Sequence, residues 1–425
     1  MNIYKLSWRN IASKPWPSFL SILLLALGVG MISLLLQVND RLEAQLNRNI
    51  RGIDMVVGAK GSPLQLILSS VYHIDAPTGN IPLAEVDALL KNRLIEQGIP
   101  LAYGDNYLGY RIVGTTHEYI KHYAASLAEG RLYGQPFEAA VGASVANKLG
   151  LKIGDTFFSA HGLDEEGTLH EDNRYNVTGI LAYSGSVIDQ LILTPLETVW
   201  RSHRHEGEGK NEHEHEDEKS REHEEKIDKA HDHENENDHD FQQEGKEITA
   251  LLVKFRSPLG IIRLPRMINE NTSMQAAVPA YEMGRLLGLM EFGIKTLKAI
   301  ALTIMLVSGF SVFISMYNAL EGRKYEMALM RSLGASRNKL LRLVIQEGLI
   351  LSLLGFTVGF ILSRAGMFII TMLVQKNFRF GLSGFPVLQG EIFLLIVTLA
   401  IGFSASIIPA YQVFNINISK SLSDA

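Results

Sequence analysis

Four long apolar stretches alternate with polar segments along the chain. Each is about as long as the roughly 20 residues that a helix needs to cross the hydrocarbon of a bilayer. A helix also satisfies all of its own backbone hydrogen bonds in lipid. A single such stretch could be a buried helix of a soluble protein, but four in one chain argue against that. The pattern predicts transmembrane helices over 17–38, 299–320, 343–374 and 392–414.

Basic residues are distributed unevenly around these predicted spans. The first 14 residues carry three of them and no acid, and the loop 321–342 carries six, whereas the loop 375–391 has only Lys376 and Arg379. Because basic loops stay in the cytoplasm, the segments 1–16, 321–342 and 415–425 are predicted to be cytoplasmic. Residues 39–298 and the short loop 375–391 then face outwards. The first span has no convincing cleavage site and is interpreted as an uncleaved anchor.

The outward segment 39–298 has the pattern of an α+β domain. Short β-branched and aromatic runs bounded by Gly, Pro, Asn and Asp predict strands at Ile53–Val57, Tyr110–Val113, Asn176–Ala182, Gln190–Leu193 and Ile248–Phe255. A helix is predicted over Leu83–Ile95. The glycine-rich stretch 58–62 lacks the spacing of a phosphate-binding loop, so it is interpreted as a turn with close backbone packing.

Two apolar stripes adjoin the first and second predicted spans on their outward sides. After the first span, Val38, Leu42, Leu46, Ile50 and Ile53 recur at steps of three or four. A similar stripe from 283 to 297 precedes the second span. Such periodicity suits amphipathic helices that extend the spans as a stalk. Ordinary helices lying on the outer domain would show the same pattern.

Composition changes this picture in one segment, 203–240. The whole chain has a net charge of −5, but this segment holds 16 acidic and 6 basic residues, so the remainder is positive. With almost no apolar side chain it cannot bury enough surface to fold alone, and we expect a disordered insert. Cysteine is absent from the sequence, which excludes disulfides and thiolate metal sites.

Eight of the 13 histidines fall in the same insert. Imidazole nitrogens among carboxylates are good ligands for zinc and similar divalent ions, so the insert is a candidate zinc site. A solvated acidic loop in which the histidines have no role is the alternative. The candidate ligands are His203, His205, His213, His215, His223, His231, His233 and His239.

Apolar residues at helical spacing also predict a short amphipathic helix in the cytoplasmic loop 321–342. Tyr325, Leu329, Met330 and Leu333 share one face, and Gly334 suits the left-handed position that ends a helix. The apolar face could lie in the groove of a partner protein. A helix resting on the lipid surface is the alternative, which its basic residues would also permit.

This loop resembles the E-R-x-x-E-x-A-L-x-R-x-L-G-A-S signature of the FtsX-like permeases, the MacB-type or type VII ABC transporters. Residues 321–336 read EGRKYEMALMRSLGAS. Glu347, the start Trp8-Arg9-Asn10 and the pair Pro409-Ala410 are also similar to that family. Near the C-terminus Asn417 stands where the family usually has a proline. The outward segment 52–200, with its V-V-G-A-K-G-S-P stretch, resembles the MacB-type periplasmic core domain.

The resemblance implies a permease subunit of the inner membrane with no catalytic residues of its own. It implies two copies of a separate ABC ATPase, which would bind ATP and magnesium, and a homodimer or heterodimer of permeases through the first and second spans. No Walker A sequence occurs in the chain, in agreement with a separate ATPase. The residues implied to contact the ATPase are Glu321, Arg323, Glu326, Leu329, Arg331, Leu333 and Gly334.

Three functions follow from the resemblance and the insert. The first is ATP-driven export or extraction of a substrate, with cytoplasmic hydrolysis coupled to movement of the periplasmic domain. The second is transmission of a signal to a periplasmic partner without transport. The third is a zinc-linked permease whose histidine-rich loop binds or senses the metal. Nothing in the sequence indicates nucleic-acid binding, and the sequence identifies neither the substrate nor its direction of movement.

Overall fold

A computed structural model describes residues 3–13, 15–160, 169–209, 245–377 and 387–412. The helices are α1 (Ile3–Ser13), α2 (Pro15–Ile50), α3 (Pro63–Ser70), α4 (Leu83–Leu90), α5 (His117–His122), α6 (Ala143–Leu149), α7 (Leu196–Gly209), α8 (Leu259–Asn271), α9 (Pro279–Glu321), α10 (Lys324–Ser332), α11 (Arg337–Asn377) and α12 (Gln389–Gln412).

The strands of the described residues follow the same chain order. They are β1 (Met55–Ala59), β2 (Ile81–Pro82), β3 (Ile95–Tyr107), β4 (Tyr110–Thr115), β5 (Leu127–Gly130), β6 (Glu138–Val141), β7 (Thr156–Ala160), β8 (Leu169–Leu181), β9 (Ile192–Thr194), β10 (Glu247–Ile248), β11 (Ala250–Phe255) and β12 (Met274–Ala277). A 3-10 turn, Val187–Gln190, precedes β9.

Four helices of the described residues are long and apolar enough to cross a membrane: α2, α9, α11 and α12. They contain the first three spans that the hydrophobic pattern predicts and residues 392–412 of the fourth, whose last two residues lie outside the described range. The predicted fold class, four transmembrane helices with a large α+β domain between the first and the second, is therefore confirmed. The chain divides into two compact units, Met1–Ala44 with Leu287–Ala425, and Gln45–Leu286.

The membrane-type unit is held together by apolar side chains and small residues. One cluster gathers Val312, Met316 and Leu320 of α9 with Leu340 and Val344 of α11. Another joins Leu25 and Val29 of α2 to Met305 of α9 and Leu394 of α12. Since lipid tails are as apolar as these side chains, close packing rather than the hydrophobic effect favours their association.

The second unit is built on one mixed sheet. Within the described residues, ten strands take part, in the order β12-β1-β11-β3-β4-β9-β6-β8-β5, with β7 pairing β3 and β8. Most neighbours are antiparallel, but β4 pairs β9 and β6 pairs β8 in parallel. Long connections make these parallel pairings possible: α6 and β7 lie between β6 and β8, and α5, α6 and several strands lie between β4 and β9.

Both faces of this sheet are covered, as the alternation along β1 shows. Val56 points into a cluster with α3 and α5, while Met55 and Val57 point into a cluster with α4 and α8. Alternate residues of a strand face opposite sides of a sheet, which explains the division. The first cluster also includes Leu46 and Ile50 of α2 and Met283 and Leu286 of α9. These helix ends therefore belong to the domain core.

Two local predictions differ in their outcome. The glycine-rich stretch 58–62 packs closely as predicted, since a Cβ on Gly58 would lie 2.4 Å from Leu66 Cδ1. Its first two residues, however, end strand β1 and do not belong to a turn. The helix predicted over Leu83–Ile95 is too long: α4 ends at Leu90, and Ile95 begins β3. Asn92 causes the break, because its side-chain oxygen accepts a hydrogen bond from the Leu94 amide at 3.0 Å.

Candidate functional site

The short helix α10 has well-defined ends that its sequence explains. Glu326 lies in its first turn and Arg331 in its last, where each complements the helix dipole. At the C-terminus the Gly334 amide donates to the Arg331 carbonyl at 3.1 Å, and the Ala335 amide donates to Met330 at 2.9 Å. These two bonds form a Schellman motif, which requires the left-handed φ of +96° at Gly334.

The helix buries one face and exposes an apolar stripe on another. Met327 and Ala328 are fully buried within the membrane-type unit. Tyr325, Leu329 and Leu333, spaced four residues apart on one face, are 47%, 42% and 80% exposed. Met330, predicted to share that face, is half-buried against the cluster of α9 and α11. The three exposed side chains, which we call the apolar stripe, are thus free to contact another protein.

The start of α10 is fixed by a buried ion pair. Arg323 Nη2 lies 3.0 Å from Glu347 Oε2, and Arg323 Nη1 lies 3.4 Å from Glu347 Oε1. The side-chain amide of Asn10 donates to the same carboxylate at 2.6 Å. We call these three residues the inner network. It joins α1, the α9–α10 turn and α11, and its several hydrogen bonds offset the cost of burying two charges.

The remaining predicted ATPase contacts divide between exposed and buried positions. Glu326 is exposed, and Glu321 forms an exposed ion pair with Lys324. Arg331 is half-buried. Arg323 is only 8% exposed, and its guanidinium faces Glu347. Within this chain the Arg323 side chain stabilises the position of the helix, and its contact with the ATPase stays a prediction.

A cavity of about 210 Å³ lies beside the inner network, between α1, α10 and α11. Apolar side chains dominate its wall, and Glu326 adds one carboxylate. The cavity is adjacent to Leu329 of the apolar stripe. Its lining residues are Leu6, Asn10, Arg323, Glu326, Met327, Leu329, Met330 and Leu343.

Sequence reasoning singled out Asn10, Arg323 and Glu347 separately, as parts of three motifs. It missed their mutual contact, because 313 and 24 residues separate Arg323 from the other two in sequence and no spacing rule connects them. An unpaired glutamate within an apolar span was the available signal, since such a charge is expected to face a partner inside the bundle.

The predicted zinc site lies mostly outside the described residues. His203 and His205 lie on α7, which ends at Gly209 inside the predicted insert. His213, His215, His223, His231, His233 and His239 lie outside the described ranges. In the part of the chain that the structure describes, no group of three or more His, Asp or Glu side chains is arranged for a metal ion.

Two family descriptions match the sequence. Residues 298–418 match the FtsX-like permease C-terminal family, and residues 18–216 match the MacB-like periplasmic core domain. The two matches together cover most of the chain and define the membrane component of a transporter. The chain belongs to the FtsX-like permeases with a MacB-like periplasmic core domain, as its motifs predicted, and the sheet domain is periplasmic. Permeases of this family work with ABC ATPases.

Two solved structures are similar to the periplasmic part. The periplasmic region of MacB from Actinobacillus actinomycetemcomitans is 13% identical over 57% of this chain and 97% of that chain, with a TM-score of 0.34. The extracellular domain of the noncanonic ABC-type transporter YknZ from Gram-positive bacteria is 11% identical over 52% of this chain and 98% of that chain, with a TM-score of 0.30. No curated protein matches the sequence.

Proposed function

We propose that this chain is the permease subunit of an ATP-driven MacB-type transporter in the inner membrane. Two copies of a separate ATPase dock on the cytoplasmic side of a permease dimer. Closure of the ATPases on ATP moves the transmembrane helices and, through them, the periplasmic domains, which export or extract a substrate. The family membership and the exposed apolar stripe on α10 support this proposal.

The apolar stripe carries the argument because it places three exposed apolar side chains on one face of α10. Leu333 and Tyr325 offer apolar area, and apolar anchors at the centre of an interface provide much of its binding energy. Glu326, exposed beside the stripe, adds a charge that can orient the partner. The cavity next to Leu329 is large enough to accept a side chain of the ATPase.

The inner network gives the docking helix the rigidity that coupling requires. A partner can shift a conformational equilibrium only through contacts that differ between its two states. Because Arg323 and Glu347 fix the start of α10 on α11, a displacement of α10 is passed to a transmembrane helix rather than absorbed in a flexible turn.

Co-purification tests the docking helix directly. The permease is co-expressed with its cognate ABC ATPase, and the variant Leu329→Asp/Leu333→Asp is compared with the wild type. Each buried anchor typically contributes about 1–2 kcal/mol or more, so the double variant should lose nearly all of the ATPase. The control Asn338→Asp places a charge at an exposed site in the first turn of α11 and should retain it. Wild-type recovery of the ATPase by the double variant would overturn the assignment.

A further inference from the structure

Two opposite charges lie inside the membrane-type unit, away from the cytoplasmic helix. Arg364 interrupts the apolar sequence of α11, and Glu391 lies in the first turn of α12. Their side chains are 16% and 1% exposed. Ionisable residues within transmembrane helices are costly and usually face a partner or a pathway, so both positions require a physical explanation.

The two side chains form an ion pair that includes the first span. Arg364 Nη2 lies 2.7 Å from Glu391 Oε2, and Arg364 Nη1 donates to Gln37 Oε1 at 2.6 Å. Gln37, which is 1% exposed, belongs to α2. The guanidinium also lies 4.5 Å from the centre of the Phe360 ring, which favours a cation.

Further hydrogen bonds satisfy the carboxylate from two more directions. Ser33 Oγ donates to Glu391 Oε1 at 2.7 Å, and the Leu388 amide donates to Oε2 at 3.0 Å. The hydroxyls of Ser33 and Ser363 lie 2.9 Å apart. We call Ser33, Gln37, Ser363, Arg364 and Glu391 the outer network. A buried pair with this many bonds resists separation, because each lost contact leaves a charge unsatisfied in a dry environment.

The same three helices also approach each other through their backbones. A Cβ on Gly359 of α11 would lie 2.6 Å from the Ala26 carbonyl oxygen of α2. A Cβ on Gly402 of α12 would lie 2.9 Å from the Gly348 carbonyl oxygen of α11. Such close contacts through glycine strengthen helix association in lipid.

Helix α9 is connected to this group at other places. Its cytoplasmic end is tied to α11 through the Arg323–Glu347 pair, and its apolar face packs on α11. Among the described hydrogen bonds, none links α9 to the outer network. Towards α2, the Ser21 hydroxyl lies 3.3 Å from the Ser311 hydroxyl and 3.4 Å from the Ser311 carbonyl oxygen. Gly28 of α2 packs against Met305 of α9, where an added Cβ would lie 3.2 Å from the Met305 backbone.

We propose that the outer network locks α2, α11 and α12 into one body that stays intact throughout the transport cycle. Arg364 and Glu391 are then positioning residues for the first span. The statement about the cycle rests on the proposed ATP-driven function, whereas the locked contact between the three helices does not.

Engineered disulfides test the proposal cleanly, because the chain contains no cysteine. The pair Ser33→Cys/Ser363→Cys bridges α2 and α11 inside the outer network. It is made in the full-length permease, reconstituted in nanodiscs with its ATPase, and ATP hydrolysis is measured before and after reduction. We expect the disulfide to leave the rate within about twofold of the reduced protein.

Two results would overturn the proposal: no disulfide at 33/363, or inhibition of ATP hydrolysis by that disulfide. A permease that fails to bind its ATPase before any cysteine is introduced would instead contradict the proposed function. In that case thermal unfolding decides the locked contact alone. Glu391→Leu should lower the melting temperature, and Arg364→Met/Glu391→Leu should recover most of the loss, because the buried pair is then replaced as a unit. Equal melting temperatures of the wild type and Glu391→Leu would refute the contact.

Discussion

The Nε2 atom of His73 lies 2.8 Å from the Tyr119 hydroxyl, inside the core of the periplasmic domain. His73 follows α3 with a left-handed φ of +55°, and its Nδ1 atom is buried without a hydrogen-bond partner. Burial lowers the pKa of this imidazole well below its usual value, and the neighbouring Arg111 guanidinium lowers it further. The folded domain therefore holds His73 neutral.

We predict that acidification destabilises the protein partly through His73. Unfolding returns the imidazole pKa to about 6.5, so between that value and its lower folded pKa the unfolded state binds one more proton. The stabilisation is complete above pH 6.5 and falls by up to about 1.4 kcal/mol per pH unit below it. The variant His73→Asn, which tolerates the left-handed backbone, should show a shallower loss of stability between pH 6.5 and 5. Melting temperatures of the full chain across this range provide the measurement, and parallel curves for the two proteins would contradict it.

A second prediction concerns the contribution of the inner network to the free energy of unfolding. Glu347→Ala leaves the Arg323 guanidinium buried without its counter-charge, which typically costs about 3–5 kcal/mol. The matched control is Glu321→Ala, which removes the acid of the exposed pair with Lys324 and should cost less than about 1 kcal/mol. Thermal unfolding in detergent compares the two, and similar shifts would show that burial of the Arg323–Glu347 pair has no special role.

The transmembrane helices could be predicted because their signal is local. The length of an uninterrupted apolar run is enough to indicate that a helix can cross the bilayer. The strand β3 was not, although it lies in the middle of the sheet. Its sequence contains Gly98, Pro100 and Gly104, which are turn signals in isolation. Pairing with β11 on one side and β4 on the other holds this segment extended, and that tertiary context is absent from the sequence pattern.

The candidate site also combines features that the sequence predicts with features that depend on tertiary contacts. The ends of α10 and its exposed leucines follow from helical periodicity and from Gly334. Whether Arg323 points outwards or inwards depends on Glu347, which lies on another helix, α11, and periodicity along one helix cannot reveal it. The outer network was missed for the same reason, since the sequence pattern shows Arg364 only as an interruption of one apolar run and Glu391 only as the charge that precedes the next.

Glycine positions give a third prediction through a matched pair of substitutions. A Cβ on Gly142 would lie 2.4 Å from the Ile188 carbonyl oxygen and 2.6 Å from the Asp189 backbone. Gly142→Ala should therefore destabilise the periplasmic domain by about 1–3 kcal/mol. Nothing lies within 4 Å of a Cβ on Gly288 in α9, so Gly288→Ala should stabilise its helix by up to about 1 kcal/mol. Opposite shifts in melting temperature are expected, and a shift of the same sign in both would contradict the packing argument.

The histidine-rich insert leads to a fourth prediction, which rests on sequence alone. The full chain should bind zinc at neutral pH, and replacing His213, His215, His231 and His233 by alanine should remove most of that binding. Affinity should fall as pH drops through about 6.5, because protons compete for the imidazole nitrogens. Titration calorimetry of the two proteins measures this. Equal zinc uptake by both would exclude these histidines as ligands, and unchanged ATP hydrolysis of the complex across zinc concentrations would exclude a regulatory role.

Glu347 and Arg364 lie on the same unbroken helix, α11, and each takes part in a different buried network. Their separation of 17 residues corresponds to about 25 Å along the axis. Insertion of one residue between them would rotate one charge by about 100° relative to the other, so that only one network could keep its partners. The number of residues between Glu347 and Arg364 is therefore fixed, because both networks must keep their partners. Natural variants of this protein should accommodate insertions and deletions elsewhere, and a relative with a longer or shorter interval should have lost one of the two charge pairs.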